Sequence, residues 1–363
     1  MQGNEKFLRR VASYAHKHAL WREGERILAA VSGGPDSLAL LLALKLSAVK
    51  EKINIGCCCV NHHLRAAAGK EAEFVESVCR EWNIPFILKE VDVQSAVRNG
   101  GSIETAARDL RYKALREAAR GGGYAKIAIA HHGDDQAETV LYHLLRGSGV
   151  TGLSGMKPIN GDIIRPFLCV SKNEIKDFLK DFSYVPCHDE SNDVEDAVRN
   201  RIRLSLVPEL ISYNPRVTES LRRTADIFRE EDLFMEEKAD VFISSCVEHD
   251  NDKCVFFIAY FLALHIALQR RVIRKICCMV AGRIPSFEGI EKFIFLIDAG
   301  KTGSVTSSSG TFLEIQYGKA IFYKGSTQNR IPAGKLKNVG TSAAVLSELV
   351  KRLIEHLGQW RIE

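Results

Sequence analysis

None of the ten cysteines of this 363-residue chain forms a C-x-x-C pair, so neither a zinc ribbon nor a thioredoxin-like dithiol has support. No apolar run is long enough to cross a bilayer, and no signal-peptide core precedes a small-residue cleavage site. A cytoplasmic protein without membrane attachment is expected. Strong charge of one sign is lacking too: 50 Lys and Arg against 45 Asp and Glu leave +5, so partners must be argued from where the charge lies. There is no G-x-x-x-x-G-K-[ST] string, which excludes a Walker-type phosphate loop. Internal repeats and low-complexity tracts are absent as well.

What is there fits a soluble globular protein, with 46% hydrophobic and 26% charged residues. The length exceeds one ordinary core and predicts two domains with a small further piece. Cys57, Cys58 and Cys59 fall in one apolar run, where adjacent strand residues point to opposite faces. Cys277 and Cys278 are adjacent in an apolar helical stretch. In a reducing compartment all of these read as small buried hydrophobes.

The chain is organised around residues 27–42, ILAAVSGGPDSLALLL. Ile27 to Val31 has the size and composition of a buried strand. Ser32-Gly33-Gly34-Pro35-Asp36-Ser37 follows, then an apolar stretch from Leu38 to Leu44 of helical length. Strand, glycine turn and helix together aim free backbone N–H groups and the positive end of a helix dipole at an anion. The two glycines allow close approach of a phosphate, and Pro35 suits the first helical position. Ser32 and Ser37 supply hydroxyls, and Asp36 is placed to hold a magnesium ion or orient a reactant. The string resembles the SGGxDS signature of the PP-loop ATP pyrophosphatases, which cleave ATP between its α- and β-phosphates and adenylate a carbonyl or amide oxygen.

Further along, an amphipathic helix is predicted over 4–20 and strands over 53–60, 85–93 and 126–130. Helices are predicted between them over 68–82 and after Ser102. Strands alternating with helices give an α/β fold with a doubly wound, mostly parallel sheet. Its crevice lies at the carboxyl ends of the strands, where the polar strings at 32–37, 61–65 and 131–139 emerge. Gly147-Ser148-Gly149-Val150-Thr151-Gly152 matches G-x-G-x-x-G, but it follows a helix and not a strand, so a dinucleotide site is rejected and a flexible loop expected. Residues 163–168 contain Arg165-Pro166 and suggest an edge strand. Ser171 to Glu174 reads as a capping box. His188-Asp189-Glu190 lacks the P-C-x-x-C that a zinc deaminase needs. Residues 199–223 hold six arginines against two glutamates, which spacing alone reads equally as a solvated face or a phosphate-binding surface. Asn214-Pro215 marks a boundary. Three domains are therefore expected: catalytic, 1–214; mainly helical, 215–325; and a short basic tail, 326–363, with a helix over 343–357. In the second, helices are expected over 216–245, 254–280 and 287–299 and strands over 312–316 and 320–323.

The N-terminal half resembles tRNA(Ile)-lysidine synthetases. The strings that carry this are SGGPDS (32–37), VNHHLR (60–65), ETAARDLRY (104–112), AHHGDDQAETVLYHLLRGSGVTGLSGM (130–156), RPF (165–167), DESN (189–192) and RNRIR (199–203). The second domain matches more loosely, at SFEGIEKFIFLIDAGKTG (286–303). The last domain found in many members is shortened or missing here, since about 40 residues follow Tyr323. The resemblance implies an ATP-dependent ligase that joins free lysine to C2 of the wobble cytidine of an isoleucine tRNA with a CAU anticodon. It implies an adenylated intermediate, with AMP and pyrophosphate released.

It also implies site residues. Ser32, Gly33, Gly34, Pro35, Asp36 and Ser37 bind ATP, with Asp36 organising magnesium and pyrophosphate departure. Asp135 and Glu138, three apart at a helix start, match the lysine-binding acids, and Arg111 matches the arginine that receives the lysine carboxylate. Arg199, Asn200 and Arg203 hold RNA phosphate or the adenylated base. Asp36, Asp135 and Arg203 form the catalytic set. Helix capping competes for Asp134 and Asp135. His62, His63, His131 and His132 lack a consistent ligand set and read as packing groups, not metal ligands. A homodimer is compatible with the sequence. The rivals are an RNA sulfurtransferase of the same superfamily, which wants a reactive or cluster-binding cysteine motif, and a catalytically silent RNA-binding homologue, which would not need a lysine pocket.

Overall fold

A computed structural model of the chain describes residues 2–61, 68–93, 103–182, 184, 197–250 and 253–325. His62 to Arg65, Ser102, the 188–192 loop, and the tail with its expected helix lie outside the described residues. Two compact units divide after Glu230.

The first unit is built on strands β1 (Arg26–Ala30), β2 (Asn54–Asn61), β3 (Phe86–Glu90), β4 (Lys126–Ala128), β5 (Ile159–Asn160) and β6 (Ile163–Ile164). They form one sheet in the order β3-β2-β1-β4-β6-β5, parallel throughout except where β5 pairs antiparallel with β6. The winding direction reverses between β1 and β4, the place where open α/β sheets bind ligands. Helices α1 (Gln2–Lys17), α2 (Pro35–Glu51), α3 (Ala68–Glu81), α4 (Ile103–Gly121), α5 (Gly133–Leu145), α6 (Val150–Leu153) and α7 (Lys172–Leu179) flank it.

Successive strand residues go to opposite faces, and the cysteine run shows it. Cys57 packs with Ile27, Ala29 and the α2 leucines, while Cys58 packs with Leu28, Ile127 and Leu115 of α4. Leu38 to Leu44 are buried to the last residue, which is why the first half of α2 is apolar around its whole circumference. Phe7 stacks on Phe178 at a ring separation of 4.5 Å, joining α1 to α7. Ser171 and Glu174 form the expected capping box of α7. The edge position falls on β5, not on 163–168, because Arg165 turns into a 3₁₀ turn at Pro166–Cys169. Cys278 is exposed, which corrects its reading as a buried group.

Beyond the sheet come α8 (Ala197–Arg201), a π-helical turn (Ile202–Leu206), α9 (Val207–Tyr213) and α10 (Val217–Cys246). The division between units falls inside α10, whereas Asn214-Pro215 marks the break between α9 and α10.

The second unit joins α11 (Ile258–Leu262), α12 (Ile266–Ala281) and α13 (Phe287–Ala299) to an antiparallel sheet. Its strands are β7 (Val247–Asp250), β8 (Lys253–Phe257), β9 (Val305–Ser308), β10 (Thr311–Gln316) and β11 (Lys319–Lys324), in the order β7-β8-β11-β10-β9. The helices expected over 216–245 and 287–299 are there, but 254–280 is a strand followed by two helices. Cys254, Val255 and Phe256 are all buried, so no alternation betrays the strand. Its core joins Phe256, Phe261, Ile273, Phe293, Ile315 and Phe322.

Candidate active site

The phosphate-type loop leaves the carboxyl end of β1, where Val31 N–H donates to Cys58 O at 3.0 Å. Gly33 has φ +89°, a conformation that side-chain-bearing residues adopt at a cost. Gly34 is the N-cap of α2 and Pro35 its first residue, where a missing N–H is no loss. Ser37 Oγ donates to Gly34 O at 3.0 Å and accepts from Ser32 N–H at 3.1 Å. The two serines thus hold the loop's shape with the hydroxyls that the sequence assigns to a ligand.

Asp36 is raised above the usual carboxylate range, because burial outweighs the attraction of His132 and Lys172. Its Oδ1 is buried without a hydrogen-bond partner, an unsatisfied acceptor of the sort a bound cation relieves. Its Oδ2 lies 3.7 Å from His132 Nε2.

The second polar string opens α5 at the end of β4, on the other side of the switch point. His132 is the N-cap, and its backbone N–H donates to Asp135 Oδ2 at 2.9 Å. The His132 ring, 4% exposed, has Nε2 3.5 Å from Asp135 Oδ2 and Nδ1 3.5 Å from Asp134 Oδ2. Burial pushes its pKa down, but the carboxylates of Asp134, Asp135 and Asp36 together push it up further. Asp134 accepts from Lys172 N–H at 2.7 Å, and this bond with His132 holds it low despite burial. Asp135 Oδ2 thus caps α5 through His132 N–H, leaving its other oxygen to meet Arg203, while Asp134 accepts from the first N–H of α7.

Asp135 Oδ1 and Glu138 converge on Arg203, which lies in the π-helical turn. Arg203 Nε donates to Glu138 Oε1 at 2.7 Å, and Nη2 to Glu138 Oε2 at 3.1 Å and to Asp135 Oδ1 at 3.3 Å. Burial raises the Glu138 pKa against the pull of Arg203. Arg203, expected to face RNA, thus sits on the two acids assigned to lysine. Arg199 and Asn200 are half-buried on α8, and Arg199 helps lower the pKa of His143 after burial and Arg146. Arg111 is exposed on α4, and its charge reaches His131.

The structure adds residues that the sequence reading left as packing groups or passed over. His131 Nδ1 accepts from Arg165 Nε at 3.3 Å, and burial lowers its pKa to about 4. Gln136, 1% exposed, accepts from Met156 N–H at 2.7 Å and donates to Met156 O and Ser154 O. Arg229 of α10 donates to the same two carbonyls. The glycine-rich stretch expected to be a flexible loop thus contains α6 and is clasped on two sides. Gln136 lies between Asp135 and Glu138 and Arg165 beside Pro166, but spacing says nothing of what a side chain meets across the chain, and Arg229 carried no signal at all.

Sheet, switch point and two polar strand ends define a nucleotide-binding α/β protein of the PP-loop class, and the model of the PP-loop domain matches residues 4–210. The chain belongs to the tRNA(Ile)-lysidine synthase family and is an ATP-using ligase. It is 32% identical to the tRNA(Ile)-lysidine synthase of Caldanaerobacter subterraneus subsp. tengcongensis over 332 residues, 90% of this chain and 70% of that one. Over 308 residues, 83% of this chain and 72% of that one, it is 35% identical to the tRNA(Ile)-lysidine synthase of Thermotoga maritima. Among solved structures, the U34-tRNA thiolase NcsA of Methanococcus maripaludis, with its [4Fe-4S] cluster, superposes with a TM-score of 0.51 at 17% identity. It covers 62% of this chain and 80% of that one, a likeness of fold.

Proposed function

We propose that this protein ligates free lysine to C2 of the wobble cytidine of a CAU-anticodon isoleucine tRNA. The carrying observation is that Asp36 of the glycine turn and Asp135 of α5 meet on one buried imidazole, His132, with Glu138 one helical turn beyond. One carboxylate faces the nucleotide turn and the other an amine pocket, which suits a reaction that first activates and then substitutes. Relatives named tRNA(Ile)-lysidine synthase supply the RNA.

In the first step the cytidine O2 attacks the α-phosphorus of ATP, the bond to the β-phosphate bridge breaks and pyrophosphate leaves. The loop Ser32–Ser37 holds the phosphates through its N–H groups, on the positive end of α2. Asp36, with its unsatisfied Oδ1, would hold a magnesium ion that offsets charge on the leaving group. In the second step the ε-amine of lysine attacks C2 and AMP leaves with the oxygen. Asp135 and Glu138 bind the amine and accept its proton, Arg111 takes the lysine carboxylate, and Arg199, Asn200 and Arg203 steady the RNA.

The test is incubation with ATP, magnesium, labelled lysine and total tRNA. Label in a CAU-anticodon isoleucine tRNA alone, with AMP formed in step, is the expected result. AMP formed with a sulfur donor and not with lysine would replace this reading by a sulfurtransferase. RNA binding without either product would leave a silent binder.

A further inference from the structure

We infer that Arg203 is the residue that makes the amine pocket selective for the RNA-bound state, because its guanidinium stands where the substrate ammonium must go. The inference rests on the reading of Asp135 and Glu138 as the lysine acids. Arg203 Nη2 bridges Asp135 Oδ1 at 3.3 Å and Glu138 Oε2 at 3.1 Å, while Nε takes the other Glu138 oxygen at 2.7 Å. The remaining Asp135 oxygen accepts from His132 N–H at 2.9 Å. A primary ammonium bridging acids three apart on a helix needs the gap between those carboxylates, and Nη2 fills it. The fork-on-carboxylate contact is the strong, orientation-specific kind of ion pair.

Two features make this occupancy reversible. Arg203 lies in a π-helical turn between α8 and α9, a winding that often marks functional sites and is held by local context. The same stretch carries Arg199 and Arg201, so RNA phosphates arriving there offer the guanidinium a second bidentate anion. Moving Arg203 from carboxylate to phosphate empties the gap and leaves Asp135 and Glu138 with charge to neutralise. Lysine then enters only beside RNA, and the acids do not hold free amine in the absence of an acceptor.

The experiment is equilibrium binding of labelled lysine to the full-length protein, without ATP, with and without an anticodon stem-loop RNA bearing CAU. If Arg203 fills the gap nine-tenths of the time, wild-type affinity for lysine rises about tenfold on adding RNA. Arg203→Gln then binds lysine about tenfold more tightly than wild type without RNA, and RNA adds nothing further. Arg203→Lys, which keeps the charge, stays responsive to RNA. Wild-type lysine affinity that ignores RNA, or weaker lysine binding by Arg203→Gln in a protein that melts like wild type, would overturn the inference. Arg203→Gln carrying Asp135→Asn separates the two levels. Loss of its lysine binding upholds the acid pocket whatever Arg203 does, and lysine bound by no protein under any condition removes both pocket and gate.

Discussion

Asp36, proposed to hold the ion at the nucleotide turn, sits in its place at a cost to folding. Its carboxyl is buried, its pKa is raised by that burial, and one oxygen has no hydrogen-bond partner. Asp36→Asn should therefore leave the melting temperature unchanged or higher, since it removes a desolvated charge. Lysine-dependent AMP formation should fall at least a hundredfold, the usual scale for removing a preorganised electrostatic group. A variant that melts lower would mean that Asp36 is structurally paired. His131 gives a pH dependence. Its ring faces Asp135, which raises its pKa, and Arg165, Arg108 and Arg111, which lower it, but burial dominates and brings it to about 4. The folded protein thus binds this proton less readily than the unfolded chain. The stabilisation is fully present above the usual histidine pKa of about 6.5 and is lost as pH falls from there towards 4. Urea titrations should show stability falling across that window in wild type and a shallower fall in His131→Gln. Equal slopes would remove the argument.

At the scale of elements, α5 does its work through what holds it. Gln136 points away from the acids and grips Ser154 and Met156, and Arg229 grips the same carbonyls. Gly155, at φ +63°, would place a Cβ 2.8 Å from the Gln136 carboxamide. Gly155→Ala should cost about 1–3 kcal/mol from backbone conformation alone, with turnover falling further as Gln136 is displaced. A melting shift without a change in turnover would show that the clasp does not position the acids. Ser171, whose hydroxyl caps α7, provides the control. Ser171→Ala should cost about 1 kcal/mol and leave turnover at wild-type level. Periodicity made most of these elements legible: α10 and α13 stand within a residue or two of where apolar spacing and caps put them, and α2 starts at Pro35 as expected but runs on to Glu51, past the apolar stretch that ends at Leu44. It failed at β8, where both faces are buried, and at the 147–156 stretch, where glycine suggested freedom and a glutamine imposed order.

Over the whole molecule, charge is nearly balanced in total, so the proposed RNA contact is to be sought in local arginine clusters. Arg199→Ala should lower RNA affinity and flatten the slope of log affinity against log salt by roughly one counterion or less, as read from filter binding between low and moderate salt. A slope equal to that of wild type would place Arg199 off the phosphate path. The division of the chain into units inside α10 was not legible either, because a long amphipathic helix looks continuous from within.

The sequence by itself determined the sheet, its winding and the two polar strand ends, because burial demands periodic apolar residues and glycine and proline admit few backbone shapes. It also offered Asp36 from its place in the glycine turn, whereas Asp135, Glu138 and Arg203 were singled out by the resemblance of their strings to the family, spacing alone leaving them open. Only the tertiary structure decided that His132 joins the two aspartates and that Arg203 lies across Asp135 and Glu138. Those relations depend on which side chains meet after 60 to 100 intervening residues have packed, and the energies that choose among partners there are desolvation and ion pairing, which local spacing does not carry.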